Sequence, residues 1–294
     1  MAAPAEMVAG AVSPDKGYLG QFVAKLAAWG AGTRAVAREA GMTGNVVRID
    51  EKADPVRQAR VDLAAAHRLA HRFGFDDGIW NHFTLMVPGT KDCFLVKPHG
   101  VLMSEVTASN LIVSDFEGNI VEGRGKIEKS ALCIHASFHK LGPHAACVLH
   151  CHPAYTTWLT MTKPGRLLMV HQDALRFYDR VAYDDSFGGL GTSFEEGARM
   201  ASTLGNKPLL LSANHGVTAV GANVAQTWYD LYYMELACKQ LHLIKESGEE
   251  PRVVPQQIAQ FTRSQLDDEW EESAALSYEA LKRDLDREEP DYKS

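Results

Sequence analysis

Two histidines one residue apart, His150 and His152, close a short apolar run, Ala145-Ala146-Cys147-Val148-Leu149-His150-Cys151-His152-Pro153. Gly142-Pro143 precedes the run and Pro153 ends it, a pattern that predicts a buried strand. Side chains alternate along a strand, so both imidazoles project from one face and Cys151 from the other. At about 7 Å apart they can converge on one ion with little backbone cost. An imidazole taken from water needs a partner, and a metal ion is the reading preferred here over two hydrogen-bonded structural histidines. His215 offers a third imidazole. It stands in Asn214-His215-Gly216, a tight turn between the apolar runs 208–212 and 217–220, where it faces a cleft rather than the core.

Other histidines carry weaker signals. His171 follows an apolar stretch at 167–170, expected as a short strand, and precedes Gln172-Asp173. With an ordinary pKa near 6.5 it suits the protonation of a carbanion; an ordinary loop histidine is the other reading. His67 and His71 lie one turn apart on a basic, Ala-rich helix and read as a solvated face. His135 and His139 share a face of a later helix and read as its packing side, with His135 the nearer to the site. Tyr178 and Tyr183 read as packing residues.

The elements that must position these groups follow from local signals. Asp54-Pro55 caps an amphipathic helix over 56–73 that Gly74 ends. Strands are expected over 80–87 and 93–96 around the turn 88–92, then over 111–115 and 120–123. A helix over 128–141, stopped by Gly142-Pro143, delivers the chain to the His150/His152 strand. Further helices are expected over 154–161, from Thr192 or Ser193 to 204, and over 222–245. The cluster Gly188-Gly189-Leu190-Gly191 lacks the Lys-Ser/Thr ending of a phosphate loop. Three regions result: an N-terminal extension, 1–53, with a short amphipathic helix at 17–29; a main domain, 54–245; and an acidic, partly helical tail, 246–294.

Composition excludes several classes. The 294 residues carry a net charge of −7, which argues against a nucleic-acid or anionic-membrane surface. No run approaches the roughly 18 apolar residues of a membrane span, and the first ten residues lack the basic start of a secretory signal. Five scattered cysteines without a CxxC pair fit a reduced, cytoplasmic protein.

Four motifs occur in order: Phe94-Leu95-Val96-Lys97-Pro98-His99-Gly100, Ser104-Glu105-Val106-Thr107-Ala108-Ser109-Asn110-Leu111, Val148-Leu149-His150-Cys151-His152-Pro153 and Asn214-His215-Gly216. Together they resemble the class II aldolase/adducin family over roughly 55–245. The resemblance implies a three-layer α/β/α fold with a mostly antiparallel central sheet, assembled as a homotetramer. It implies a divalent metal held by His150, His152 and His215, zinc ahead of iron, manganese or cobalt. Such an ion can polarise a carbonyl and hold the enolate formed when an adjacent carbon–carbon bond breaks. Aldol cleavage and decarboxylation share that chemistry.

The departures from the family narrow the substrate. Sugar-phosphate aldolases of the family place a glutamate where this chain has Ala131, and the nearest acid is Glu128. Their phosphate-binding Gly-Asn and Ser-Ser pairs correspond here to Asn81-His82 and Lys129-Ser130. A phosphorylated sugar is therefore not expected. His82, His99, Lys129 and Ser130 are expected to bind a substrate carboxylate, with Glu128 and His171 as the catalytic acid/base candidates. The expected function is metal-dependent cleavage of a carbon–carbon bond in a non-phosphorylated hydroxy- or oxo-acid. The alternatives are a non-catalytic adducin-like interaction module and an Fe(II)-dependent oxygenase.

Overall fold

The computed structural model describes residues 54–294. The extension 1–53 and its expected helix lie outside the described residues. The first helix, α1 (Pro55–Phe73), opens where the Asp54 carboxylate accepts from the Val56 N–H and closes at Gly74 in the left-handed conformation. Four strands follow: β1 (His82–Met86), β2 (Cys93–Val96), β3 (Ile112–Asp115) and β4 (Ile120–Glu122). Then come α2 (Lys129–His139), β5 (Cys147–Cys151), α3 (Ala154–Thr160), α4 (Gln172–Leu175), β6 (Val181–Asp184) and α5 (Phe194–Leu204). The chain finishes with β7 (Leu209–Ser212), β8 (Gly216–Gly221), α6 (Val224–Ser247) and α7 (Gln256–Glu288).

The strands form one sheet in the order β4-β3-β2-β1-β5-β8-β7-β6. Only β6 and β7 pair in parallel; every other pair is antiparallel. The two sheet faces follow from strand alternation. On β5, Cys147, Leu149 and Cys151 join the apolar core shared with α1 and α6, while Val148 joins the cluster shared with α2 and α5. Helices cover both faces, which gives the expected α/β/α layering.

Three local expectations are corrected. The stretch 167–170 forms no strand, because its backbone groups are engaged elsewhere: the Leu167 N–H donates to the Tyr183 hydroxyl and the Met169 carbonyl accepts from Val254. His67 is not on a solvated face. Helix α1 is packed by β1, α6 and α7 on different sides, so His67 is fully buried, 5.1 Å ring to ring from Phe83. His71 does reach solvent, where its Nδ1 meets Asp76 at 2.8 Å. The third concerns 246–294, whose expected helical pieces are one 33-residue helix, α7. This segment packs back on α1 and α6 within one compact unit that includes all the described residues.

Candidate metal centre and active site

Strand β5 is central, flanked by β1 and β8, and this position buries His150. Its Nδ1 lies 3.0 Å from the Val217 carbonyl, which can only accept, so Nδ1 carries the hydrogen and Nε2 is left as a bare ligand atom. His152 follows one residue beyond the strand. Its Nδ1 faces the Asp77 carboxylate at 3.5 Å, and its buried Nε2 has no partner among the described residues. His215 comes from the β7–β8 turn, where Asn214 takes the left-handed conformation (φ 56°) that Asn tolerates better than most residues.

The three rings form a near-regular triangle, with centroids 5.1, 4.8 and 4.9 Å apart. One nitrogen of each lies within 4.8 Å of the other two. Two of those imidazoles are steered by an acceptor on the other nitrogen, and burial keeps all three neutral. It lowers His150 well below its ordinary value and pushes His215 down to about 4, with the neighbouring rings adding to the shift; for His152, Asp77 partly opposes it. Neutral imidazoles converging from three directions are the donor set that a divalent ion requires. The residues fit the metal that the family resemblance implies.

The triangle forms one side of a cleft of about 340 Å³, which Glu128 and Ser130 line from α2. Glu128 is the N-cap of that helix: Oε2 accepts from the Ala131 N–H at 2.8 Å and from the Ser130 hydroxyl. Its Oε1 makes no hydrogen bond among the described residues. His82, on β1 opposite His150, lies behind this pair, with Nε2 3.2 Å from Ser130 Oγ. His82 is expected to offer a carboxylate either a positive charge or a hydrogen-bond donor, and the structure leaves it without the charge. Burial, reinforced by Lys97, lowers its pKa to about 3 and leaves it neutral.

Other expected site residues stand apart. His99 is exposed at the rim, its ring 5.7 Å from that of Trp80, which lines the cleft. Lys129 is exposed on the first turn of α2 and is not among the cleft-lining residues. His171 is not among them either; half-exposed, it accepts from the Asp173 N–H at the start of α4. Tyr178 and Tyr183 act as packing residues, the one bonded to Gln256 and the other to the Leu167 N–H.

Two groups of site residues lacked a sequence signal. Trp80, Phe187 and Leu190 are 54%, 57% and 85% exposed and make the cleft rim apolar. The only hint was the pair of large apolar residues set among the glycines of 187–191. Thr84 is buried on β1 between His135 and His139, and its alternation with His82 was the signal available.

The chain resembles known proteins over most of its length. Residues 61–242 match the family model for the class II aldolase and adducin N-terminal domain. A protein of Caulobacter vibrioides named for class 2 aldolases is 34% identical over 80% of this chain and 91% of its own length. Alpha-adducin of Mus musculus is 34% identical over 64% of this chain, which spans 26% of that protein. The decarboxylase NovR of Streptomyces niveus is 30% identical over 76% of this chain and 84% of its own. The crystal structure of an aldolase II superfamily protein from Pseudomonas syringae superposes with a TM-score of 0.76 and 30% identity. That match covers 83% of this chain and 98% of the other.

Proposed function

The chain belongs to the class II aldolase and adducin family, and from that premise we propose that it is a metal-dependent lyase. The reaction is cleavage of a carbon–carbon bond, by retro-aldol or decarboxylative chemistry, in a non-phosphorylated hydroxy- or oxo-acid. The observation that carries the reading is the convergence of His150, His152 and His215 on one point. A module freed from catalysis has no physical need to hold three neutral, partly buried imidazoles together, since each costs desolvation.

A divalent ion held there, zinc first and iron, manganese or cobalt next, would polarise a substrate carbonyl and stabilise the charge left as the neighbouring bond breaks. The chain's own residues supply the rest. Glu128 has one carboxylate oxygen occupied by the helix start and the other free, so it can exchange a proton with substrate in the cleft. Trp80, Phe187 and Leu190 give the cleft an apolar rim for the carbon skeleton of a substrate. Asn81 and His82 are buried and Lys129 is exposed, an arrangement unlike a phosphate cradle. The family resemblance extends the proposal to a homotetramer. The five free cysteines, four of them buried, suit a reducing cytoplasmic setting.

Elemental analysis of the purified protein is expected to give about one divalent metal per chain. His150→Ala and His152→Ala should each remove the metal and turnover together, while leaving the fold in place by circular dichroism. Metal-free protein with undiminished activity would end the lyase reading. A folded chain that never retains metal would instead be a non-catalytic module of the family. Product formed only under oxygen would point to an iron oxygenase.

A further inference from the structure

The sheet face that carries His150 also carries a file of hydrogen-bonded side chains running back from the cleft, and its far end fixes every hydrogen in it. The Ala145 carbonyl can only accept, so His139 Nδ1 donates to it, at 2.8 Å. His139 is fully buried and neutral, so its Nε2 accepts, from Thr84 Oγ1 at 2.8 Å. The threonine hydroxyl has one hydrogen. With that hydrogen directed to His139, Oγ1 accepts from His135 Nδ1 at 2.6 Å. His135 Nε2 then accepts from His82 Nδ1 at 2.7 Å. At the end of the file His82 turns a bare Nε2 lone pair toward the Ser130 hydroxyl.

Ser130 also reaches Glu128 Oε2 and has only one hydrogen to give. His82 Nε2 and the Glu128 carboxylate therefore compete for it. Glu128 Oε2 also accepts from the Ala131 N–H, so when Ser130 donates to Glu128 it is His82 Nε2, just behind the cleft wall, that is left an unsatisfied acceptor. A ligand carboxylate brought here would add further acceptors and no donor. A ligand hydroxyl would supply the missing hydrogen.

We propose that Glu128, Ser130 and His82 form a subsite for a hydroxyl group of the substrate, and that Thr84 is the positioning residue that makes His82 an acceptor. The substrate is then an acid bearing a hydroxyl beyond the pair of oxygens that chelates the metal. That the ligand is an acid chelating a metal rests on the lyase reading; the hydrogen-bond file stands without it.

The first arm of the test uses metal-free protein labelled with 15N-histidine. Long-range 1H–15N spectra should show His82, His135 and His139 as Nδ1–H tautomers. Thr84→Val should disturb His135 and His139 and free His82 to populate the Nε2–H form, whereas Thr84→Ser should keep the wild-type pattern. A His82 in the Nε2–H form in the wild type overturns the assignment, whether or not the protein is an enzyme. The second arm compares three simple 2-hydroxy acids as ligands of the zinc-loaded protein: lactate, glycerate and malate. They share the chelating end and carry in turn a methyl, a hydroxyl and a carboxylate. Glycerate should bind about tenfold more tightly than lactate, and Ser130→Ala or Thr84→Val should erase that preference. Equal binding of glycerate and lactate, or tightest binding of malate, overturns the subsite. Absence of zinc binding removes the lyase reading and leaves the tautomer result standing.

Discussion

His152 holds its place through a contact that only glycine permits. A Cβ built on Gly216 would sit 2.5 Å from His152 Cδ2 and 2.7 Å from the Cys151 carbonyl, and the second of these is backbone that cannot swing aside. Gly216→Ala should therefore push His152 out of the triangle without touching a ligand side chain. The expected result is a drop in metal affinity of at least tenfold, on the scale of losing a group that orients a metal ligand, while β7 and β8 stay paired. Isothermal titration with zinc would read it, and wild-type affinity in the variant would contradict the close approach. At this scale the sequence was most informative about ligands. His-x-His at a strand end and His in an Asn-His-Gly turn are side-chain facts with a geometric consequence. Thr84, Trp80 and Leu190 were not legible in the same way, because their roles depend on which residues lie across the sheet or the cleft from them.

Among the elements, those with explicit punctuation fell where expected. Asp54-Pro55 to Gly74 delimits α1, Ser193 caps α5 through the Glu196 N–H, and Asn223 caps α6 through Gln226. Pattern alone misled where tertiary pairing decides. The apolar stretch 167–170 pairs with no strand, its backbone bonding the Tyr183 hydroxyl and the Val254 N–H instead, and α1 is enclosed on more sides than its basic and Ala-rich sequence suggests. His67 shows the cost of that enclosure. Its Nε2 is buried without a partner among the described residues, and burial lowers its pKa to about 3, below the ordinary 6.5 of the unfolded chain. A depressed histidine of this kind is neutral in the native state while the unfolded chain takes up a proton below pH 6.5. Stability is therefore lost as pH falls from about 6.5 toward 3, at up to about 1.4 kcal/mol per pH unit. His67→Leu fills a similar volume against Phe83 and removes the orphan nitrogen. Between pH 6.5 and 5 the variant should lose about 2 kcal/mol less stability than wild type in urea titrations. The two proteins should be nearly equal at pH 7.5. Identical acid slopes would mean that His67 is not held neutral.

For the whole molecule, the informative feature is how the C-terminal segment closes over the start of the described chain. Lys282 meets Asp62 at 2.7 Å, and the Tyr278 hydroxyl donates to the Asp62 carbonyl at 2.6 Å. Arg68, largely buried, donates to the Val106 carbonyl, to Glu289 and to Asp291, while Arg72 reaches Glu289. The Tyr292 carbonyl accepts from Ala108, and its ring is fully buried. The acidic character of 246–294 and the basic character of α1 were both plain in the sequence. Their complementarity was not, because nothing local links positions more than 200 residues apart. Arg68 and Lys282 are buried, but their carboxylate partners stay partly in solvent, which limits what each pair contributes, so the apolar contacts of Tyr278, Leu285 and Tyr292 should dominate this closure. Tyr292→Ala is expected to cost about 3–5 kcal/mol, whereas 1 M salt should lower the melting temperature only slightly. A chain ended after Val254 would leave α1 and the Ala108 loop uncovered on one side. It should lose cooperative unfolding and become open to limited proteolysis within α1. The metal triangle lies on the opposite sheet face from α1, so its loss in the shortened chain should follow unfolding rather than precede it. Calorimetry with zinc present and absent would order those events. A shortened chain that melts cooperatively within a few degrees of full length would show that α7 is an appendage and not part of the core.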